Sequence, residues 1–177
     1  MARGSQLYHG RIQLSDTDQQ RYEMLQFSTS QHPSEKPERL VLRLLAYALL
    51  YEPGLDFRKG GLSHGDAPDL AIQDDADRIL HWIDVGTPAV ERLQKAARHT
   101  PKVSVVTHDG MLLRWKRQHG NRLPDFQGSI LSLDDELVMT LAQSLPRRFD
   151  WQMTVSGGML YLDSTELSLS SELNPLP

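Results

Sequence analysis

Polar and apolar residues alternate near the start of the chain. From Leu7 to Leu14, the residues Tyr8, Ile12 and Leu14 alternate with His9, Arg11 and Gln13, the two-residue period of a half-buried strand. Arg21–Ser28 reads as a second strand across the polar SDTDQQ loop. The period then changes to 3.6 residues. Val41, Leu44, Leu45, Ala48 and Leu49 form the inward stripe of a helix that Ser34 can cap, that tolerates Pro37 in its first turn, and that Pro53-Gly54 stops.

Beyond a glycine-rich loop, Asp69–Asp74 and Ile79–Val85 read as a hairpin, and Pro88–His99 as a short helix burying Val90, Leu93, Ala96 and Ala97. The β-branched run Lys102–Thr107 reads as a buried parallel strand. Gly110–His119 and Asp134–Ser144 read as helices, with Asp134 as a natural cap, and Phe126–Leu133 as extended. Phe149–Val155 and Met159–Asp163 flank the Ser156-Gly157-Gly158 turn of a last hairpin. This order predicts a single α/β domain over residues 1–177, one mixed sheet with helices on both faces. Its core spans about 7–163; the tail 164–177 is expected to lie extended or partly loose.

Composition narrows the chemistry. There are no cysteines, which excludes thiolate nucleophiles, disulfides and Cys-ligated metals. The longest apolar run, Leu44 to Tyr51, is too short to span a bilayer, and the first ten residues lack the apolar core of a secretory signal, so a cytoplasmic protein without a membrane partner is expected. The net charge of -4 hides an asymmetry: residues 86–122 carry eight Lys or Arg against two acids, a net of +6, and the remainder nets -10. Asp66, Asp69, Asp74, Asp75, Asp77 and Asp84 gather just before that basic segment. A metal site beside an anion-binding surface and a set of solvated faces both fit this pattern.

The hairpin holds the sharpest signal. If 74 faces 79, then 69 faces 84, and Asp69 and Asp84 stand opposite one another on one face. Two like charges so placed need a compensating cation or a raised pKa, unless they lie at a solvated edge. A divalent metal such as Mg²⁺ answers the need, since one or two carboxylates suffice to hold it. Glu38 extends the inward stripe of the first helix at its N-terminal end, either as a third acid or as a partner of the helix dipole; Glu35, a turn earlier, is a weaker version of it. Lys95 lies beside the apolar stripe of its helix, either as a surface lysine or with its long stem reaching the carboxylates.

Arg114, Lys116 and Arg117 surround Trp115, and Arg122 comes after them, a combination that suits phosphate contact with base stacking or a solvated helix burying Trp115 and Leu112. Arg92 joins Arg114, Lys116 and Arg117 as a candidate contact to nucleic acid. His64 and Asp66 could touch a metal from their loop or serve as its polar tip. No H-E-x-x-H, G-x-S-x-G, G-x-G-x-x-G or G-x-x-x-x-G-K-[ST] motif is present.

As a set, HPSE at 32–35, ERLVLRLLAY at 38–47, PD at 68–69, WIDVGTP at 82–88 and RLQKA at 92–96 resemble the bacterial YaeQ family over essentially the whole chain. That family is regarded as a variant of the PD-(D/E)xK, restriction-endonuclease-like fold. The resemblance implies that Pro68-Asp69 is the PD element, that Asp84 is the (D/E) element and that Glu38 is the acid of the first helix. The superfamily lysine would fall at Gly86; Lys95 is the obvious replacement and Arg92 the second choice. The resemblance thus implies a Mg²⁺- or Mn²⁺-dependent phosphodiesterase acting on nucleic acid, with Asp69, Asp84 and Glu38 at the metal and Lys95 steadying charge. The alternative is a degenerate member that binds nucleic acid or a protein partner without cleavage.

Overall fold

Ten consecutive residues of the first helix, Leu40 to Leu49, are buried. A helix without a solvent face must be enclosed on all sides. The computed structural model, which describes residues 4–58, 66–120 and 126–176, shows how. Helix α1 (Pro37–Leu49) lies between two mixed sheets rather than against the single sheet expected.

The first sheet joins β1 (Gln6–Asp16), β2 (Arg21–Gln31), β8 (Arg148–Ser156), β9 (Met159–Asp163) and β10 (Ser168–Glu172) in the order β10-β9-β8-β1-β2. Here β1 runs parallel to β8, so the first and last hairpins form one surface. Ile12, Leu14, Leu25, Trp151 and Met153 point inward and share a core with Leu44 and Leu45 of α1. Alternation along each strand is readable in the sequence, but not the partner it chooses.

The second sheet runs β11-β7-β6-β5-β4-β3. It comprises β3 (Asp56–Phe57), β4 (Leu70–Gln73), β5 (Ile79–Val85), β6 (Lys102–His108), β7 (Ser129–Leu133) and β11 (Asn174–Leu176). Strands β5, β6 and β7 are parallel, linked by α2 (Val90–His99) and α3 (Asp109–His119). Val90, Leu93 and Ala96 of α2 and Leu112 and Trp115 of α3 pack with Trp82, Val103 and Val105 in a second core. Helices α1 and α4 (Asp135–Ser144) belong to the main core, with Ile83, Val85 and Val106. This second sheet therefore does carry helices on both faces.

The tail lies extended along the body, one of the two expected arrangements: β10 extends one sheet and β11 edges the other, where Pro175 is tolerated because an edge strand can spare a donor. Two expected caps are corrected. Asp134 stands at the N-cap of α4 without a side-chain cap bond; its Oδ2 accepts the Glu172 N–H instead, and its N–H donates to Ser171 Oγ. Ser34 does not cap α1, whose N-cap is Lys36; the Ser34 hydroxyl pairs with His32 Nδ1 at 2.7 Å. Among the described residues, no helix is long and apolar enough to cross a membrane.

Candidate functional site

Strands β4 and β5 pair in the expected register, with Leu70 opposite Ile83, Ala71 opposite Trp82 and Ile72 opposite His81. A bulge after Ile72 then brings Gln73, rather than Asp74, opposite Ile79. Asp74 closes the turn instead, accepting the N–H groups of Ala76 and Arg78 and the Arg78 guanidinium. The bulge lies beyond the acidic pair. Asp69, one residue before β4, and Asp84, near the end of β5, are both buried and linked: the Asp69 N–H donates to Asp84 Oδ1 at 3.3 Å.

All four carboxylate oxygens accept N–H donors. Asp69 Oδ1 takes Arg39 Nη2 at 2.6 Å, and Asp69 Oδ2 takes the Val85 N–H at 2.9 Å. Asp84 Oδ2 takes Trp82 Nε1 at 2.9 Å and Arg92 Nε at 2.8 Å, while Arg92 Nη2 reaches Asp84 Oδ1 at 3.2 Å. Arg92 thus grips Asp84 with two adjacent donors, the geometry suited to a planar carboxylate. It also donates to the Ala67 carbonyl at 2.6 Å and lies 5.0 Å above the Trp82 ring. Burial pushes the Asp69 carboxyl above its usual range; Arg39 pulls it back, and the charge of Asp84 adds to the rise.

The network continues into α1. Arg39 Nη1 binds Glu35 Oε1 at 3.2 Å, and Glu35 is clamped by Arg43 through Nε and Nη2 at 2.7 and 2.8 Å. Glu35, Arg39 and Arg43 are spaced four residues apart, acid first: Arg39 and Arg43 share one face of α1, and Glu35, two residues before the helix, meets both of them. That spacing, and a charged residue inside a wholly apolar run, are the sequence signals for this network; a reading for metal ligands misses both.

The other candidates fall elsewhere. Glu38 is half-buried in the first turn of α1 and makes no side-chain hydrogen bond or ion pair among the described residues; the buried acid of this region is Glu35. Lys95 points outward, 70 % exposed, its Nζ 3.9 Å from the exposed Asp66. Of Lys95 and Arg92, it is Arg92 that reaches Asp84. Gly86 itself is left-handed at φ +83°, a conformation that would strain a lysine. Arg114, Lys116 and Arg117 are exposed on α3, but Trp115 is 1 % exposed and serves the core, not base stacking. His64 and Arg122 lie outside the described residues.

This arrangement does not fit a divalent metal. An ion at the pair would have to displace two guanidinium cations, Arg39 on Asp69 and Arg92 on Asp84; each Asp84 oxygen already accepts two N–H groups, and each Asp69 oxygen accepts one. Among the described residues, no group of three or more His, Asp or Glu is placed to hold one. Beside the pair lies an open groove of about 520 Å³, floored by Ile79, Trp82 and Ala96 and edged by Arg92 and Lys95.

Comparison with known proteins gives one consistent result. A family model described as YaeQ protein matches residues 1–173. The YaeQ proteins of Salmonella typhi and Escherichia coli K12 are 29 % and 27 % identical over 175 residues, covering 98 % of this chain and 96 % of each relative. A crystal structure of YaeQ from Pseudomonas syringae superposes with a TM-score of 0.89 at 31 % identity, over 98 % of this chain and 96 % of that one. The YaeQ structure from Xanthomonas axonopodis pv. citri gives 0.88 at 27 %, over 98 % and 99 %.

Proposed function

Because this chain belongs to the YaeQ family, we propose that it works as a nuclease-like scaffold that binds nucleic acid without cutting it, its acidic pair locked by arginines. One observation carries the reading: Arg39 and Arg92 occupy the carboxylates that a phosphodiesterase would offer to a metal. The cations required for phosphate contact lie outside that lock. Lys95 rims the groove, and Arg114, Lys116 and Arg117 project from α3 on the layer shared with α2. Phosphate contacts of this kind supply sequence-independent affinity that falls with salt.

Fluorescence anisotropy with labelled single- and double-stranded oligonucleotides in EDTA tests it. Binding is expected without metal, and replacing Lys95, Arg114, Lys116 and Arg117 singly by Ala should each reduce the log K against log salt slope, by up to about 0.9 on duplex DNA. Binding absent in EDTA at low salt would sink the reading.

A second reading keeps one observation of its own, the adjacency of Asp69 and Asp84 on a single hairpin. On that reading Arg39 and Arg92 give way, and Mg²⁺ or Mn²⁺ takes their place to support hydrolysis. It predicts cleavage, which the first reading does not.

A further inference from the structure

We propose that Arg58 forms a binding site for one phosphate group, set behind the acidic pair at the mouth between β1, β2 and the first turn of α1. Arg58 comes directly after β3, and its N–H donates to the Asp69 carbonyl at 3.0 Å, which fixes its backbone beside the pair. Its Nε and Nη2 are buried and without a hydrogen-bond partner among the described residues. In an arginine these two nitrogens form one edge, two parallel N–H donors matched to two oxygens of a carboxylate or phosphate. The same edge of Arg43 holds Glu35, and the same edge of Arg92 holds Asp84. At Arg58 the fork is formed and unmatched.

The surroundings favour an anion. Arg58 lines a cavity of about 30 Å³ together with Arg39, Arg43, Glu35, Asp69 and His32. Three guanidinium groups there face two carboxylates, leaving one positive charge over. Burial holds the Arg58 guanidinium below the usual arginine range, and Arg92 and Arg39 add to the effect against the opposing charge of Asp69. Buried donors are costly to leave unmade, so an unmatched pair of them marks a place where an ion or a ligand completes the structure. A water needs roughly 10–15 Å³ of such space, so this cavity of about 30 Å³ admits two oxygens of one small oxyanion, and the rest of the group, with anything attached to it, must remain at the mouth. A phosphate group meets the two-oxygen edge, and its singly charged form balances the one positive charge left over. Its source is either free phosphate or the end group of a larger molecule. The second source rests on the nucleic-acid reading above, whereas the pocket does not.

Thermal unfolding with potassium phosphate against potassium chloride at equal ionic strength tests the pocket. A ligand that binds the folded state alone raises its melting temperature, so phosphate should raise that of the wild type by several degrees at saturation. Arg58→Met should lose the phosphate-specific rise while melting at or above the wild-type temperature in chloride, because it removes an uncompensated buried charge. Arg58→Lys, which keeps the charge and loses the fork, should weaken phosphate binding at least tenfold by titration calorimetry. No phosphate-specific rise in the wild type, or a full rise in Arg58→Met, would overturn the site. A 5′-phosphorylated oligonucleotide that binds more tightly than its unphosphorylated twin, with the difference lost in Arg58→Met, assigns the phosphate to a strand end. Equal binding of the two, with the phosphate shift intact, assigns the pocket to free phosphate and leaves the nucleic-acid reading to its own test.

Discussion

Asp69 and Asp84 hold each other's strands: the Asp69 N–H donates to Asp84 Oδ1, and Asp69 Oδ2 accepts the N–H of Val85, the residue after Asp84. Repulsion between the two carboxylates is met by Arg39 on one side and Arg92 on the other. The pair is therefore built into the hairpin's architecture, a role that stability, titration and metal binding can each distinguish from catalysis.

Buried ion pairs are expensive to break from one side. Arg43 and Glu35 have side chains 8 % and 2 % exposed, and removing Arg43 leaves a desolvated carboxylate. Arg43→Met is expected to cost about 3–5 kcal/mol in urea unfolding. Lys95→Ala, at an exposed position, should change stability by less than about 0.5 kcal/mol. Equal effects of the two substitutions would contradict this division between network and surface.

Asp69 titrates above an ordinary aspartate because burial disfavours its charge. As pH rises, the unfolded chain releases this proton first, so Asp69's share of stability is present on the acid side and is lost as pH climbs through its raised native pKa. Arg39 is the main force drawing that value down. In carboxyl-detected NMR, Arg39→Met should move the Asp69 midpoint further up; an unmoved or lowered midpoint would show that Arg39 does not hold the charge.

His81 behaves in the opposite direction. Its ring is buried in β5, bonded through Nε2 to Ser104 Oγ at 2.9 Å, and burial lowers its pKa from 6.5 to about 4, with Lys102 adding to the drop. Above pH 6.5 the ring is neutral in both states and contributes no pH slope. As pH falls from 6.5 towards 4, only the unfolded chain takes up the proton, so stability is lost across that window. His81→Gln should flatten the curve of unfolding free energy there; an unchanged slope would place the titration elsewhere.

Most of the element order, and the hairpin register beside the acidic pair, are legible in the sequence because periodicity and turn residues encode them locally; the short edge strand β3 and the tail strands β10 and β11 carry no such mark. Leu70 opposite Ile83 follows from placing 69 against 84. The pairing of β1 with β8 is not legible, since it joins residues more than a hundred positions apart and depends on how both cover α1. At the site, Asp69 and Asp84 stand out as acids on one hairpin, but their partners do not. Arg39 is an ordinary helical arginine until the fold brings the helix to the sheet, and Arg92 takes Asp84 because it lies nearer the N-terminus of α2 than Lys95 does.

If the arginines hold both carboxylates, millimolar Mn²⁺ should leave the melting temperature of the wild type unchanged, because the folded state offers it no better site than the unfolded chain. A rise that Asp69→Asn or Asp84→Asn removes would show instead that the arginines yield to the metal.

Cleavage decides the central claim. Excess protein incubated with an end-labelled oligonucleotide in Mn²⁺, resolved in parallel on native and denaturing gels, reports binding and strand integrity from one sample. The account predicts a shifted complex whose nucleic acid is recovered at full length. Fragments produced by the wild type and abolished by Asp84→Asn would contradict it.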